Sequence, residues 1–214
     1  MKYLLGSKFW KMNIDSSDND YLQFVFPTKE DLFKGKFKSE CCKINNDDIN
    51  IKDIRLLLKE LKKGSVKIFE CLYNNECELS SDVRFTELHN FLTDNRDTLF
   101  NEVNYQFKKA CYGEFCNRLK MFKSDFSNTK ALAHCYKLHF LLTHEEPFKQ
   151  WFEYESYNEA IRLRYLQDKN DKQQLLNYLE EEKNKLALMK FTTNKDMPTV
   201  DKLEQLLMKL CLNV

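Results

Sequence analysis

The chain contains few residues that constrain or break a backbone, with only four glycines and three prolines among its 214 residues. It also lacks any apolar run near the roughly 20 residues that a membrane-spanning helix needs. Its opening, "MKYLLGSKFW", is too polar after Leu5 for a secretory signal. With 43% hydrophobic and 31% charged residues, we expect a globular protein of the cytoplasm, neither disordered nor bound to a membrane.

Excess charge of either sign is absent as well. Lys+Arg 34 against Asp+Glu 33 leaves a net charge of +1, so no overall field attracts nucleic acid or an anionic membrane, and any polyanion must be met locally. Eight cysteines are present, but no CxxC pair occurs among them. Without an export signal, this spacing favours reduced, mostly buried thiols over disulfides or zinc ligands.

The periodicity of apolar residues changes along the chain and indicates an α+β protein. Strands are predicted at "YLQFVF" (21–26) and "INIKD" (49–53), with a loop or short helical turn closed by Gly35 between them. "DIRLLLKELKKG" predicts an amphipathic helix that stops at Gly64, and "SVKIFECLYN" a second. Beyond residue 80 the pattern is mostly helical. We therefore predict a small α/β domain over residues 1–75 and a helical bundle over 76–214.

Residues 6–20, "GSKFWKMNIDSSDND", combine a Gly-Ser pair with two aspartates spaced two apart. Alternate strand residues share a face, so Asp18 and Asp20 are expected to lie roughly 7 Å apart at their Cα atoms. Such a pair is either solvated or holds a divalent cation, because Mg²⁺ prefers carboxylate and water oxygens. Glycine lets backbone N–H groups approach a ligand, so Gly6 and Ser7 are predicted to cradle phosphate groups.

A third carboxylate bears on the choice between a solvated turn and a metal site. Asp48 precedes "INIKD", and an adjacent strand would bring it beside Asp18 and Asp20. Three carboxylates around two metal ions about 3.5–4 Å apart serve in-line phosphoryl transfer, in which one ion activates the attacking hydroxyl and the other binds the triphosphate. This pattern favours a metal-dependent nucleotidyltransferase.

A basic stripe is predicted in the helical half of the chain. In "KALAHCYKL", Lys130, His134 and Lys137 stand at i, i+4 and i+7 and share one helix face. The stripe is either a solvated basic face or a surface that holds the β- and γ-phosphates of a nucleotide. Lys8, near the Gly-Ser pair, is either a further phosphate ligand or a surface lysine.

These residues resemble the polymerase-β-like nucleotidyltransferase superfamily, and within it a branch of predicted minimal nucleotidyltransferases of bacteria and phages. The pattern of that branch is Gly-Ser, an aromatic residue, then Ser-Asp-x-Asp-Tyr, and the matching positions are Gly6, Ser7, Trp10, Ser17, Asp18, Asp20 and Tyr21. The resemblance covers nearly the whole chain through further positions, which are Pro27, Gly35, Asp48, Glu70, Lys130, His134, Pro198 and Asp201.

Some positions depart from the pattern of the branch. Lys11 stands where a second glycine is usual, and Ser65-Val66 where Asn-Pro is usual. Leu22 and Lys137 each stand in place of an arginine. These departures bear on loop geometry and on the choice of acceptor more than on the metal-binding acids.

The resemblance implies a small mixed-sheet nucleotidyltransferase domain followed by a C-terminal helical bundle that closes the nucleotide cleft. The implied reaction moves NMP from an NTP to the hydroxyl group of an RNA 3′ end, a protein or a small molecule, with release of pyrophosphate. Asp18, Asp20 and Asp48 would hold two Mg²⁺ ions, or Mn²⁺ in their place, and Asp48 would help to deprotonate the acceptor. The implied nucleotide-binding residues are Gly6, Ser7, Lys8, Ser17, Lys130, His134 and Lys137.

A hypothesis of a different class is a non-catalytic nucleotide- or protein-binding module that keeps the fold, such as a phage-encoded protein that binds a host partner. Three mutually repelling acids weigh against this hypothesis, because a protein without catalysis has no chemical reason to keep them. Lys11 and Leu22 weigh for it. A phage-encoded protein of either class would act in the host cytoplasm.

Overall fold

A computed structural model of the chain describes residues 1–44, 47–189 and 196–212. Contacts divide these residues into two compact units. The first, here called the sheet unit, comprises 1–10, 15–107 and 196–212, and the second, the helical unit, comprises 11–14 and 108–189. The sheet unit therefore continues past residue 75. The predicted boundary between a catalytic domain and a helical domain at that residue stays a prediction.

The described residues form a mixed α/β structure with 64% helix and one five-stranded mixed sheet, in agreement with the predicted α+β class. The strands are β1 (Lys2–Leu5), β2 (Asn19–Val25), β3 (Ser39–Ile44), β4 (Asp47–Asp53) and β5 (Cys77–Glu78). Their order across the sheet is β3-β4-β2-β1-β5. β2 and β4 run parallel, whereas the other neighbouring pairs are antiparallel.

The helices, in chain order, are α1 (Gly6–Phe9), α2 (Lys29–Phe33), α3 (Arg55–Lys62), α4 (Val66–Tyr73), α5 (Val83–Glu102), α6 (Asn104–Ser124), α7 (Thr129–Thr143), α8 (Pro147–Glu153), α9 (Ser156–Arg164), α10 (Lys169–Ala187) and α11 (Pro198–Leu212). The predicted strands correspond to β2 and β4, and the two predicted helices to α3 and α4. None of the helices described combines the length and the apolar character needed to cross a bilayer.

Alternate residues of the central strands build the core of the sheet unit. Tyr3 of β1 pairs with Leu22 of β2, and both side chains are about 2% exposed. Phe24, two residues along β2 and therefore on the same face, is 1% exposed. Leu22, where the resemblance stated above expects an arginine, is thus an apolar core residue.

Within the sheet unit, a buried carboxylate at the end of α5 binds the first turn of α11. Glu102, at the end of α5, is 8% exposed and accepts hydrogen bonds from the backbone amides of Thr199 (2.9 Å) and Val200 (2.9 Å). These amides belong to the first turn of α11, where backbone N–H groups have no partner within the helix. Because a carboxylate also complements the positive end of the helix dipole, Glu102 acts as a cap supplied by another helix.

Two glycines occupy left-handed turns, as expected at helix ends. Gly35 has φ +61 and follows α2, in agreement with the predicted turn. Gly64 has φ +71 and lies between α3 and α4, where a Cβ atom would come 2.2 Å from the backbone carbon of Gln106. The α3–α4 turn and the start of α6 therefore meet backbone to backbone.

All eight cysteines are free thiols, as predicted. The prediction that most are buried is only partly right, because Cys41 is exposed and three others are half-buried. The fully buried thiols are Cys71, Cys111, Cys135 and Cys211.

Candidate functional site

Two of the predicted catalytic aspartates occupy paired positions on neighbouring strands. The parallel register of β2 and β4 sets Asp20 opposite Asp48, on strands about 4.8 Å apart. Residues paired in this way project from the same face of the sheet. Asp18 lies just before β2, outside the strand, and is half-buried.

The aspartates do not by themselves form a complete metal-binding cluster. Within residues 1–44, 47–189 and 196–212, no group of three or more His, Cys, Asp or Glu side chains is arranged to hold a metal ion. The carboxylate of Asp48 lies 3.5 Å from the ammonium group of Lys43. Mg²⁺ is usually bound by one or two carboxylates together with water and substrate phosphates. In a site of that kind, Asp20 and Asp48 would be the two carboxylates, and the substrate would supply the remaining ligands.

The Gly-Ser turn lies directly against one of these carboxylates. β1 ends at Leu5, which pairs with Asp20, and α1 begins at the next residue. Gly6 has φ +65, and a Cβ atom at this position would come 2.5 Å from Oδ2 of Asp20. Both the backbone conformation and the available space therefore require glycine here. The turn backbone and the Asp20 carboxylate are in contact, as a site that binds phosphate beside a metal would need.

A buried glutamate supports the turn from its interior side. Glu70 of α4 is 4% exposed and accepts hydrogen bonds from the Gly6 amide (3.2 Å) and from Nε1 of Trp10 (2.5 Å). The Gly6 amide, which the sequence predicted as a phosphate donor, is thus already bonded to Glu70. A phosphate cradle in this turn would use the amides that follow Gly6. Ser7, the next residue, has a buried side chain.

Lys8 and Ser17 complete the predicted residues of the sheet unit. The Lys8 ammonium group donates a hydrogen bond to the side-chain oxygen of Asn19, whose amide nitrogen in turn donates to Asp47 (2.6 Å). Lys8 is therefore bonded to the first residue of β2 and is not a free surface lysine. Ser17 is half-buried just before β2.

The predicted basic stripe lies on α7 in the helical unit, and its three members differ in exposure. Lys130 is exposed, whereas Lys137 is only 4% exposed, so the alternative of a solvated basic face does not hold for Lys137. Nδ1 of His134 is buried and has no hydrogen-bond partner within the described part of the chain. Burial, followed by the nearby charge of Lys137, lowers the pKa of His134 to about 2. The imidazole is therefore neutral near pH 7.

Two arginines that sequence reasoning missed act on the same histidine. Arg118 of α6 and Arg164 at the end of α9 contribute, with the two lysines, to the depressed pKa of His134. Arg164 is tied in place because its carbonyl accepts a hydrogen bond from Thr129 (2.8 Å) and its guanidinium donates to the carbonyl of Met12 (3.3 Å). No spacing in the sequence could reveal these arginines, since they reach α7 from other helices.

Lys11, where the resemblance stated above expects a glycine, adopts a left-handed backbone conformation. Lys11 has φ +54, in the left-handed region that glycine enters without strain. Its ammonium group lies 5.6 Å from the ring centre of Phe152 and 5.3 Å from that of Tyr157. Cation–π attraction at such distances offsets part of the backbone cost.

Two separate groups of candidate residues are described, which are Asp20, Asp48 and the Gly6 turn within the sheet unit, and the basic cluster around His134 within the helical unit. No known protein family, curated protein or solved structure matches the chain.

Proposed function

We propose that the protein is a Mg²⁺-dependent nucleotidyltransferase, which moves NMP from an NTP to a hydroxyl acceptor. The observation that carries this proposal is the contact between the Gly6 turn and the carboxylate of Asp20, beside the paired Asp48. A glycine turn touching an acid supports binding of phosphate groups and of the cation that neutralises them at one place. The acceptor would be an RNA 3′ end, a protein or a small molecule.

The proposed reaction assigns a separate role to each acid. Asp18 and Asp20 would bind Mg²⁺ (or Mn²⁺), and Asp48 would complete the second metal position. When bound, the metal lowers the pKa of the acceptor hydroxyl and neutralises charge on the phosphates. The hydroxyl oxygen bonds to the α-phosphorus, its proton passes to Asp48, and pyrophosphate leaves with the electron pair of the broken P–O bond. Lys43, 3.5 Å from Asp48, holds that carboxylate in place.

For the helical unit, we propose that Lys130, His134 and Lys137 bind phosphate groups of the nucleotide. Support comes from the lysine and arginine charges around a neutral imidazole whose Nδ1 has no partner among the described residues. Cations that surround a buried polar atom form a favourable environment for an anion, because charge-assisted hydrogen bonds are the stronger ones.

A non-catalytic nucleotide-binding module is the second candidate. The observation that favours it is the ion pair between Asp48 and Lys43, since a carboxylate engaged with lysine is less available as a proton acceptor. In that case Mg²⁺ and NTP bind, but no transfer follows.

The test compares wild type with Asp20→Asn and with the control Asp94→Asn. Asp94 lies on α5 with an exposed side chain and is not a residue of the proposed site, so an amide there removes the same charge elsewhere in the sheet unit. Melting temperatures are measured with and without Mg²⁺ and each of ATP, GTP, CTP and UTP, and transfer of labelled NMP to components of a cell extract is followed.

We expect Mg-NTP to stabilise wild type and Asp94→Asn, by about 2.7 kcal/mol at a ligand concentration 100 times Kd. In Asp20→Asn this stabilisation should largely vanish and transfer should fall by orders of magnitude. The melting temperature of Asp20→Asn without metal gives the baseline against which its response to Mg-NTP is measured. A normal response of Asp20→Asn to Mg-NTP would refute the proposed site, and binding without transfer in wild type would favour the second candidate.

A further inference from the structure

Glu70 joins the two ends of the Gly-Ser turn. Its two carboxylate oxygens accept from different donors, with Oε2 on the Gly6 amide (3.2 Å) and Oε1 on the indole nitrogen of Trp10 (2.5 Å). Between these residues the turn closes through a hydrogen bond from the Trp10 amide to the Gly6 carbonyl (3.2 Å). One side chain from α4 therefore fixes both the entry and the exit of α1.

The chemistry of this bridge requires a carboxylate. A glutamate offers two acceptor oxygens, whereas a glutamine offers one oxygen and one NH₂ group, which would face a donor. The site is closed to water, since Trp10 is 0% and Glu70 4% exposed, so a donor that lost its partner could not turn to solvent. An isosteric amide would satisfy only one of the two donors.

Gly6 connects the Glu70 bridge to the proposed site, because its amide donates to Glu70 and its backbone lies beside Asp20. This residue lies so close to Asp20 that a Cβ atom would come 2.5 Å from Oδ2. A displacement of the turn therefore changes the distance between its backbone and the Asp20 carboxylate.

We propose that Glu70 is a positioning residue that sets the Gly6 turn against Asp20, so that phosphate groups and the cation bound by Asp20 meet the turn at a fixed distance. The effect on ligand binding rests on the proposed function, whereas the effect on the turn does not. Glu70 touches neither nucleotide nor metal and acts through Gly6 and Trp10.

The test uses Glu70→Gln and the matched variant Glu102→Gln. Glu102 is also a buried carboxylate that accepts from two backbone amides, but its partners belong to α11. Both variants should lower the melting temperature. Hydrogen exchange of the Gly6 amide and the Trp10 indole N–H is followed by NMR without ligand, and Mg²⁺ with each of the four NTPs is titrated by calorimetry.

In Glu70→Gln we expect exchange at Gly6 and Trp10 to accelerate about tenfold or more, and Mg-NTP affinity to fall about tenfold, as for one lost hydrogen bond to a charged group. Glu102→Gln should leave both quantities within about twofold of wild type. The double variant Glu70→Gln with Trp10→Phe removes the competing donor, so that glutamine can serve Gly6 alone, and slow Gly6 exchange should return.

Unchanged exchange at Gly6 and Trp10 in Glu70→Gln would overturn the proposal, as would acceleration spread evenly over the sheet unit. Normal Mg-NTP affinity in that variant, with wild type binding, would overturn it as well. If wild type binds none of the four Mg-NTPs, the proposed function fails, and the exchange measurement still decides whether Glu70 positions the turn.

Discussion

Replacing Gly64 by alanine measures how closely two backbone segments of the sheet unit approach each other. A Cβ atom at Gly64 would come 2.2 Å from the backbone carbon of Gln106 and 2.2 Å from the nitrogen of Phe107, and neither atom can rotate away. Overpacking of this kind costs about 1–3 kcal/mol. The left-handed φ of +71 adds about 1–2 kcal/mol for a residue with a side chain. A less flexible unfolded chain returns about 0.4–1 kcal/mol.

The net expectation is that Gly64→Ala lowers the free energy of unfolding by about 3 kcal/mol, measured by urea denaturation at 25 °C with circular dichroism. Gly35→Ala is the matched control, because its φ is +61 but nothing lies within 4 Å of the added atom. It should cost only about 1 kcal/mol, since strain without contact remains. Gly113→Ala, in a helix and in open space, should stabilise by about 0.5–1 kcal/mol.

The difference between the Gly64 and Gly35 variants isolates the close contact from the backbone conformation. If Gly64→Ala costs no more than Gly35→Ala, the two segments can separate freely and the reasoning from the 2.2 Å approach is wrong.

Two further predictions concern the helical unit. Lys11→Gly should be more stable than Lys11→Ala by about 1 kcal/mol, because both lose the contacts with Phe152 and Tyr157 but only glycine adopts φ +54 without strain; equal urea midpoints would contradict this. His134 has a pKa of about 2 in the folded chain, so its imidazole NMR signals should not titrate between about pH 8 and 5, and a folded-state midpoint near 6.5 would contradict its burial. Because the unfolded chain binds this proton more readily, His134 makes the protein less stable as pH falls below about 6.5.

Local patterns in the sequence were sufficient for the strands and helices that carry the acids. β2 and β4 alternate or cluster apolar residues, and α3 and α4 follow the helical period between glycine stops. Their parallel pairing brings Asp20 opposite Asp48. The edge strand β3 escaped prediction because its residues, "SECCKI", are mostly exposed and show no alternation. β1 and β5 are too short to show a period.

The roles that the sequence did not reveal depend on packing between distant segments. Glu70 was named as a position of the resemblance without a role, because it lies in the middle of a helix flanked by apolar neighbours and nothing local shows that its carboxylate turns inward to Gly6. Arg118 and Arg164 reach His134 from two other helices. Gly64 was predicted only as a helix stop, although its close approach to Gln106 constrains it further.

Val66 stands where the resemblance stated above expects a proline, and the structure tolerates the change. It is the first residue of α4, where proline is favoured because the amide there has no partner within the helix. Valine at this place keeps a buried apolar side chain, 7% exposed, and gives up only the stiffness of the ring. The turn from α3 to α4 therefore forms without the Asn-Pro pair.

The residues that donate to Glu102 are translated long after Glu102 itself. Its hydrogen bond to Thr199 joins residues 97 positions apart, and residues 108–189 of the helical unit are translated in between. At about 5–20 residues per second, a ribosome needs about 5–20 s to supply α11 after α5. During that interval the helical unit can fold ahead of the sheet unit, while the surfaces of α3 and α5 that α11 later covers are open to chaperones and proteases.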